Sequence, residues 1–335
     1  MTLIAEASNP LAQDEASTGR RTVLAGLLAV PAVARAQSAY PNRPIRYVVP
    51  WAPGGATSNI ARIIGDAMAP ILGQPVVQDN RPGAGGGLGS DFVAKAAPDG
   101  YTLLAAGAGT FYRSVVERDV PYDAFRDFGF VAPVGDGPFV LITRQGLADD
   151  LASFIAKAKS EPGKMNYASS GIGSTSHLTT EMFNHAAGIE ATHIPYRGAQ
   201  PAMIDLISGR VDYCFDALTS VAEHVRAGRI AALAATTTQR SAFAPEIPTI
   251  AETVLPGFSA APWWGIVTPA GLPPEVTAKL SAAVIQAQQD PTVVARLADQ
   301  GCRAFSMPPG EFAEFVRREN SRWVNAIEVA GLRVS

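Results

Sequence analysis

The sequence predicts an α/β protein built from two lobes. Short apolar runs rich in β-branched residues alternate with longer runs that have helical periodicity. Glycine and proline separate these runs, and 335 residues is a length that favours about two domains. This alternation is typical of sheets covered by helices, in which ligands bind beyond the carboxyl ends of the strands.

The composition indicates a folded chain without a strong charge. Hydrophobic residues make up 47% of the chain and charged residues 17%, which favours a sizeable core over disorder. The formal net charge is −3 and no basic patch stands out, so nucleic acid is not an expected partner.

Residues 1–36 are predicted to be an export signal and not part of the fold. Arg20 and Arg21 precede an apolar run, residues 23–33, that is too short for a permanent membrane span. An A-x-A cleavage site ends at Ala36. The arginine pair favours twin-arginine export, with an ordinary secretory signal as the alternative. Either route predicts a location outside the cytoplasm.

Cys214 and Cys302 are the only cysteines. Export would permit a disulfide between them, and the sequence does not decide whether they meet. Because Cys214 lies in an apolar, strand-like run, a buried free thiol is the favoured interpretation.

The first strand and helix flank the most informative stretch. Ile45–Val49 favours a buried strand, and Pro50 ends it. Thr57 and Ser58 then offer N-cap hydroxyls for a helix whose apolar face runs from Ile60 to Leu72. A helix start presents unpaired N–H groups and a positive dipole end, and small residues before it let a ligand oxygen approach. The stretch therefore predicts an anion site, with an ordinary strand–helix turn as the alternative. Its candidate residues are Pro53, Gly54, Gly55, Ala56, Thr57 and Ser58.

Two more segments of small residues follow. Residues 83–89 hold five glycines, which suggests close backbone approach or a mobile loop. The G-x-G-x-x-G register fails at Leu88, so a dinucleotide site is not expected. A strand is predicted over residues 101–106, and residues 107–110 form a small-residue loop after it. That loop adds Gly109 and Thr110 as candidate ligand residues.

The chemistry of the first stretch is repeated after a second predicted strand, Met165–Ser169. A loop of glycine and hydroxyl residues follows, and a helix is predicted from His177. Two such loops can hold two anionic ends of one ligand, with a second ordinary turn as the alternative. His177 is either a ligand donor or a residue of the helix surface. The candidates here are Ser170, Gly171, Gly173, Ser174, Thr175 and His177.

Two charged residues follow later strands. Arg197 comes after the predicted strand Ala191–Pro195, where it can pair with an anion. Asp216 comes after a strand over residues 211–215, where it can accept a hydrogen bond from a ligand or fix a loop. Solvated loop charges are the alternative for both. The last 60 or so residues predict three helices, with Pro274, Pro291 and Pro309 at their starts.

The chain shows no pattern for catalysis or metal binding. No G-x-S-x-G elbow occurs, no two of the four histidines are spaced i,i+4, and neither cysteine has a histidine at zinc spacing. We therefore expect no catalytic residue, no metal and no cofactor, and binding is favoured over chemistry.

Six stretches together resemble one family. They are PWAPGG at 50–55, NRPGAGG at 80–86, APDGYTLL at 97–104, NYASSGIGS at 166–174, HIPYRG at 193–198 and PTIAE at 248–252. From about Tyr40 to the C-terminus, the chain resembles the Bug family of periplasmic solute-binding proteins. These are the extracytoplasmic receptors of tripartite tricarboxylate transporters.

The resemblance implies a type II periplasmic-binding-protein fold, in which two α/β lobes close on a ligand cleft. It implies one lobe of residues 40–139 plus 264–335 and a second of residues 140–263. The family's usual ligands are organic acids, held by backbone N–H groups and hydroxyls of the loops that match residues 53–58 and 170–175. The motif HIPYRG adds Gly198 to the candidate ligand residues.

Two positions depart from the family pattern. Family members commonly carry Asp where this chain has Ser58, so the resemblance does not extend to acidic amino acids as ligands. Trp51 stands where Phe or Tyr is frequent, and its larger ring can line the cleft for an aromatic acid. Packing between loop and helix is the alternative role of Trp51.

The expected protein is therefore a monomeric periplasmic receptor and not an enzyme. It would capture a di- or tricarboxylate or an aromatic acid and deliver it to the membrane permease subunits of a tripartite tricarboxylate transporter. A sensor that presents its closed form to a membrane kinase is one alternative. An exported hydrolase that uses Ser174 or Ser176 with His177 is a less favoured one.

Overall fold

A computed structural model describes residues 40–116 and 119–329. The predicted export signal and its cleavage site lie outside the described residues. Within the described part of the chain, no helix is long and apolar enough to cross a membrane.

Strands and helices alternate along the described chain. The strands are β1 (Ile45–Val49), β2 (Val76–Asn80), β3 (Thr102–Gly107), β4 (Phe128–Asp136), β5 (Phe139–Arg144), β6 (Met165–Ser169), β7 (Ala191–Pro195), β8 (Tyr213–Ala217), β9 (Ile230–Ala235), β10 (Trp263–Pro269) and β11 (Arg303–Ala304). The α-helices are α1 (Ala56–Leu72), α2 (Gly87–Ala94), α3 (Ala108–Val116), α4 (Leu151–Ser160), α5 (Thr175–Ala187), α6 (Ala199–Ile207), α7 (Leu218–Arg226), α8 (Ile250–Thr253), α9 (Pro274–Ala287), α10 (Pro291–Asp299) and α11 (Pro309–Val329).

The strands form two sheets. One has the order β11-β4-β10-β3-β1-β2, in which β1 runs parallel to β2 and β3 while β10 runs antiparallel to β3 and β4. The other has the order β7-β6-β8-β5-β9, in which β6 runs parallel to β7 and β8 while β5 runs antiparallel to β8 and β9. The predicted α/β class with two lobes is thereby confirmed.

Two connections join the sheets, one from β4 to β5 and one from β9 to β10. The two connections lie side by side: the N–H of Gly137, in the first, donates to the carbonyl of Pro262, in the second, at 3.3 Å. The first sheet therefore takes strands from both ends of the described chain. The residue bounds of the two lobes stay a prediction.

Apolar faces fix the helices that position the site. Ile60, Ile64 and Met68 of α1 are buried, and Gly73 ends the helix in the left-handed conformation, with φ 69°. The last helix, α11, buries Phe312 and Trp323 and packs along α3. Each such burial contributes about 1.5–3 kcal/mol relative to exposure.

Both cysteines are buried and free, which confirms the prediction made for Cys214 from its apolar surroundings. Burial, and next the nearby Asp216 carboxylate, raise the pKa of Cys214. The thiol is therefore protonated and unreactive at neutral pH.

Candidate ligand-binding cleft

Five strand-to-helix junctions meet around one cavity between the two sheets. They are β1–α1, β3–α3, β6–α5, β7–α6 and β8–α7, and each contributes lining residues. The space measures about 700 Å³, including its open mouth. Because every junction lies at the carboxyl end of a strand, the cavity lies where ligands bind in α/β folds.

The loop before α1 forms one wall. Gly55, Ala56 and Thr57 line the cavity. The prediction of Thr57 or Ser58 as N-cap was wrong, because α1 begins at Ala56 and both hydroxyl residues lie inside the helix. Gly55 has φ −80° and makes no side-chain cap, so the first N–H groups of α1 are presented to the cavity and to the other lobe. That this loop binds an anion stays a prediction.

Other predicted residues of this loop lie off the cavity. Pro53 and Gly54 are exposed, and the carbonyl of Gly54 accepts from Gln200 Nε2 at 2.9 Å. The buried Ser58 hydroxyl accepts from Gln78 Nε2 at 2.7 Å. Ser58 therefore ties α1 to β2, and its place in ligand binding stays a prediction.

The tryptophans supply the apolar part of the cavity. Trp51 lines it and also packs beneath Gly86, so both roles considered for this ring are compatible with the structure. Trp263 and Trp264 of β10 line it as well, and Trp264 Nε1 donates to Thr57 Oγ1 at 3.1 Å. Neither β10 residue is among the site residues predicted from the sequence.

Gly109 and Thr110 line the cavity from the start of α3. The prediction that residues 107–110 form a loop was wrong, since Gly107 ends β3 and Ala108 begins the helix directly. Tyr112, further along α3, is fully buried and donates from its hydroxyl to Thr175 Oγ1 of α5 at 3.0 Å. This bond joins the two lobes across the cavity.

The second predicted loop is held by a cluster of hydroxyls. Ser174 caps α5 by accepting from the N–H of His177 at 3.3 Å. Ser176 Oγ accepts from the N–H of Ser170 at 2.9 Å and lies 3.0 Å from Ser170 Oγ. Ser170, Thr175 and Ser176 line the cavity, whereas Ser174 is fully buried. Ser176 was considered from the sequence only as a hydrolase nucleophile and not as a ligand residue, although it belongs to the same hydroxyl run.

His177 supports this loop from behind. Its Nδ1 accepts from the N–H of Gly173 at 3.2 Å, and its ring stacks on His193 at 4.1 Å between centroids. Burial, and next the neighbouring His193, lower the pKa of His177 to about 3, so the ring is neutral at ordinary pH. No hydrogen bond joins this ring to Ser174 or Ser176 in the described chain, which offers no support for the hydrolase pairing.

Arg197 and Gly171 line a neighbouring cavity of about 910 Å³, which shares Trp51 and Ser170 with the first. Arg197 is exposed. Gly198, with φ 117°, lies close to the other lobe: a Cβ there would lie 3.1 Å from Ala52 Cβ.

The glycine-rich segment, residues 83–89, makes the close backbone approach that was one of its two predicted roles. A Cβ on Gly85 would lie 2.1 Å from the carbonyl oxygen of Ile172.

The two lobes are in contact across the cleft. Besides the bonds of Gln200 and Tyr112, the N–H of Ala56 donates to Ser220 Oγ of α7 at 3.0 Å. Each of these bonds joins one lobe to the other beside the cavity. The structure therefore represents a closed arrangement of the lobes.

Asp216 is the one charged side chain among the described residues that line the main cavity. Its Oδ1 accepts from the N–H of Ala217 at 2.7 Å, and its second hydrogen-bond partner is the hydroxyl of Ser220. Burial raises the pKa of Asp216 to about 7, and the two hydrogen bonds offset part of that increase.

The described residues contain no group of three or more His, Cys, Asp or Glu side chains that could hold a metal ion. The cavity instead offers helix N-termini, hydroxyls and indole rings around a single carboxyl group. Two α/β lobes joined by paired connections and closed over such a cavity define the class of two-lobed solute-binding proteins.

The chain belongs to the tripartite tricarboxylate transporter receptor family, whose model matches residues 60–332. It is 38% identical over 298 residues to protein BugT of Bordetella pertussis, covering 88% of this chain and 91% of that protein. The predicted membership of the Bug family is thereby confirmed.

Solved structures of similar proteins agree with the fold. An R. palustris protein solved with adipate is 33% identical, with a TM-score of 0.85 over 87% of this chain and 98% of that one. MatC of Rhodopseudomonas palustris, solved with bound malate, is 34% identical, with a TM-score of 0.82 over 86% of this chain and 100% of that one.

Proposed function

We propose that this protein is a periplasmic receptor that binds a small organic carboxylate in the main cavity and delivers it to the membrane subunits of a tripartite tricarboxylate transporter. The observation that carries the proposal is the convergence of the α1, α3 and α5 N-termini on one cavity. Family membership and the adipate and malate found in similar proteins support the choice of ligand class.

Backbone N–H groups are the proposed source of affinity. No Lys or Arg side chain lines the main cavity among the described residues, so the positive ends of helix dipoles take the place of a cation. A charge-assisted hydrogen bond contributes about 1.5–3 kcal/mol, and several can act on one carboxylate. The N–H groups of Gly55 and Thr57 on one lobe and of Thr175 and Ser176 on the other are placed to provide them. The N–H groups of Ala56 and Ser170 already donate to Ser220 and Ser176.

The indole rings favour a ligand with an apolar middle. Trp51 is partly exposed beside the cavity, and the largely buried Trp263 and Trp264 contribute smaller apolar parts of its wall. Both an aliphatic diacid and an aromatic acid fit this arrangement of polar ends and apolar walls. The bonds of Ala56, Tyr112 and Gln200 across the cleft would form as the lobes close on that ligand.

Thermal unfolding against a panel of acids tests this proposal. The panel contains adipate, malate, citrate, glutamate, benzoate and phthalate, and the exported protein is first unfolded and refolded to remove acids that co-purify. An acid at about 100 times its Kd should add about 2.7 kcal/mol to the free energy of unfolding. Glutamate should stabilise least, because Ser58 replaces the family's Asp. A protein that no acid of the panel stabilises would contradict the proposal.

A further inference from the structure

A carboxyl group faces the cavity in which the proposed function places an anion. Asp216 lies near the carboxyl end of β8, and its side chain lines the cavity. The contacts continue through Ser220, whose hydroxyl bonds Asp216 and accepts the N–H of Ala56 at 3.0 Å. The carboxyl group is thus coupled to the helix start that forms the predicted anion loop.

An ionised Asp216 would repel an anionic ligand, since no cationic side chain on the described cavity wall compensates for it. The described residues that line the cavity include no Lys, Arg or His. Two negative charges that share a partly enclosed cavity interact more strongly than they would in bulk solvent. Neutralisation by a proton is the usual response of a buried carboxyl group in such surroundings.

The groups that pack around Asp216 are uncharged, so its titration is not coupled to that of a neighbouring side chain. On β8, Cys214 is the nearest titratable side chain, and burial keeps it a neutral thiol. The register partner on β5 is the apolar Val140, and the facing groups of α1 and α7 are the N–H of Ala56 and the hydroxyl of Ser220. The charged groups of α7 lie beyond Ser220 along the helix; they are Glu223, His224 and Arg226.

We propose that Asp216 binds the ligand as a neutral carboxylic acid, so that the receptor takes up one proton together with its anionic cargo. The proton comes from solvent, stays on the Asp216 carboxyl group and is donated in a hydrogen bond to a ligand carboxylate oxygen. This inference rests on the proposed function. It makes Asp216 a specificity residue that selects anions over ligands carrying an ammonium group.

The expected pH dependence follows from the raised pKa of about 7. Below that pH Asp216 is already protonated in the free protein, so the affinity for an ionised acid stays constant. Above it, each molecule must first gain a proton, and Kd increases about tenfold per pH unit. Binding should be about thirtyfold weaker at about pH 8.5 than at about pH 6.

Calorimetry with adipate, malate and benzoate at these two pH values tests the inference. At the higher pH, titrations in Tris and in phosphate, which differ in ionisation enthalpy, should report uptake of about one proton per ligand. Asp216→Asn imitates the neutral acid, so it should bind at the higher pH as tightly as wild type binds at the lower pH, without proton uptake. Asp149→Asn removes an exposed carboxylate outside the cavity and should behave as wild type.

The outcomes are distinguishable. A wild-type Kd that is equal at both pH values would overturn the proton-linked role of Asp216 and leave the carboxylate receptor intact. Loss of binding in Asp216→Asn at both pH values would also overturn it, because the ligand would then need the ionised form. Absence of binding by all three acids at the lower pH would contradict the proposed function, and the inference would fall with it.

Discussion

Replacement of Gly85 by alanine is expected to keep the lobes apart and weaken ligand binding by about tenfold to 100-fold. The added Cβ would lie 2.1 Å from the carbonyl oxygen of Ile172, which is backbone of the opposite lobe. It would also lie 2.7 Å from Arg113 Nη1, a side-chain end that can shift. Overpacking of this kind costs about 1–3 kcal/mol, and separation of the lobes relieves the clash with Ile172.

Gly146→Ala is the matched control for this prediction. Gly146 has φ 74° and Gly85 has φ 53°, so both substitutions place a side chain in the left-handed region. Gly146 has nothing within 4 Å of the added Cβ. Both variants should lose about 1–2 kcal/mol of stability from backbone strain, and only Gly85→Ala should lose affinity. Equal ligand affinity of the two variants in calorimetry would show that closure does not require this approach.

Replacement of Gly55 by aspartate is expected to abolish most of the affinity while leaving the ligand-free protein at least as stable. The residue has φ −80°, which any side chain adopts, and its Cβ would lie 3.7 Å from Ala199 Cβ, an ordinary contact. Two unit charges at about 4 Å repel by about 4 kcal/mol at an intermediate effective dielectric. We therefore expect Kd to increase about 100-fold or more.

Gly55→Asn separates charge from size in this experiment. Aspartate and asparagine are both favoured N-cap residues, so neither should lower the melting temperature of the ligand-free protein. The asparagine variant should bind within about fivefold of wild type, since it has no charge to repel the ligand. If the two variants bind the ligand equally well, the loop before α1 does not face a carboxylate.

Local sequence patterns predicted the parts of the site that a single strand–loop–helix unit contains. The loops before α1 and α5 have glycine and hydroxyl residues in the positions that a helix start requires, so they were recognisable without tertiary information. The hydrogen bond from Ala56 to Ser220 could not be recognised in this way, because it joins residues 164 positions apart. The same holds for Trp264, which reaches Thr57 only because β10 returns to the first sheet.

β4 and α3 are among the elements that were not predicted, and their sequences show why. β4 carries Pro133, which argues against a strand, and the structure accommodates it where the register with β10 shifts beside Gly265. α3 begins with Ala108 and Gly109 directly after β3, without a capping side chain or a polar loop to mark its start. Contacts with distant parts of the chain, and not the local sequence, determine both elements.

The central claim is that the main cavity binds a carboxylate. Comparing the binding of an acid with that of its amide tests this claim most directly. The acid that stabilises the protein most in the unfolding panel is titrated calorimetrically beside its neutral amide, which has nearly the same shape. If helix N-termini and hydroxyls bind a carboxylate, the amide should bind at least about 100-fold more weakly, since it cannot form the charge-assisted hydrogen bonds. Equal affinity for the acid and the amide would contradict a carboxylate site in this cavity.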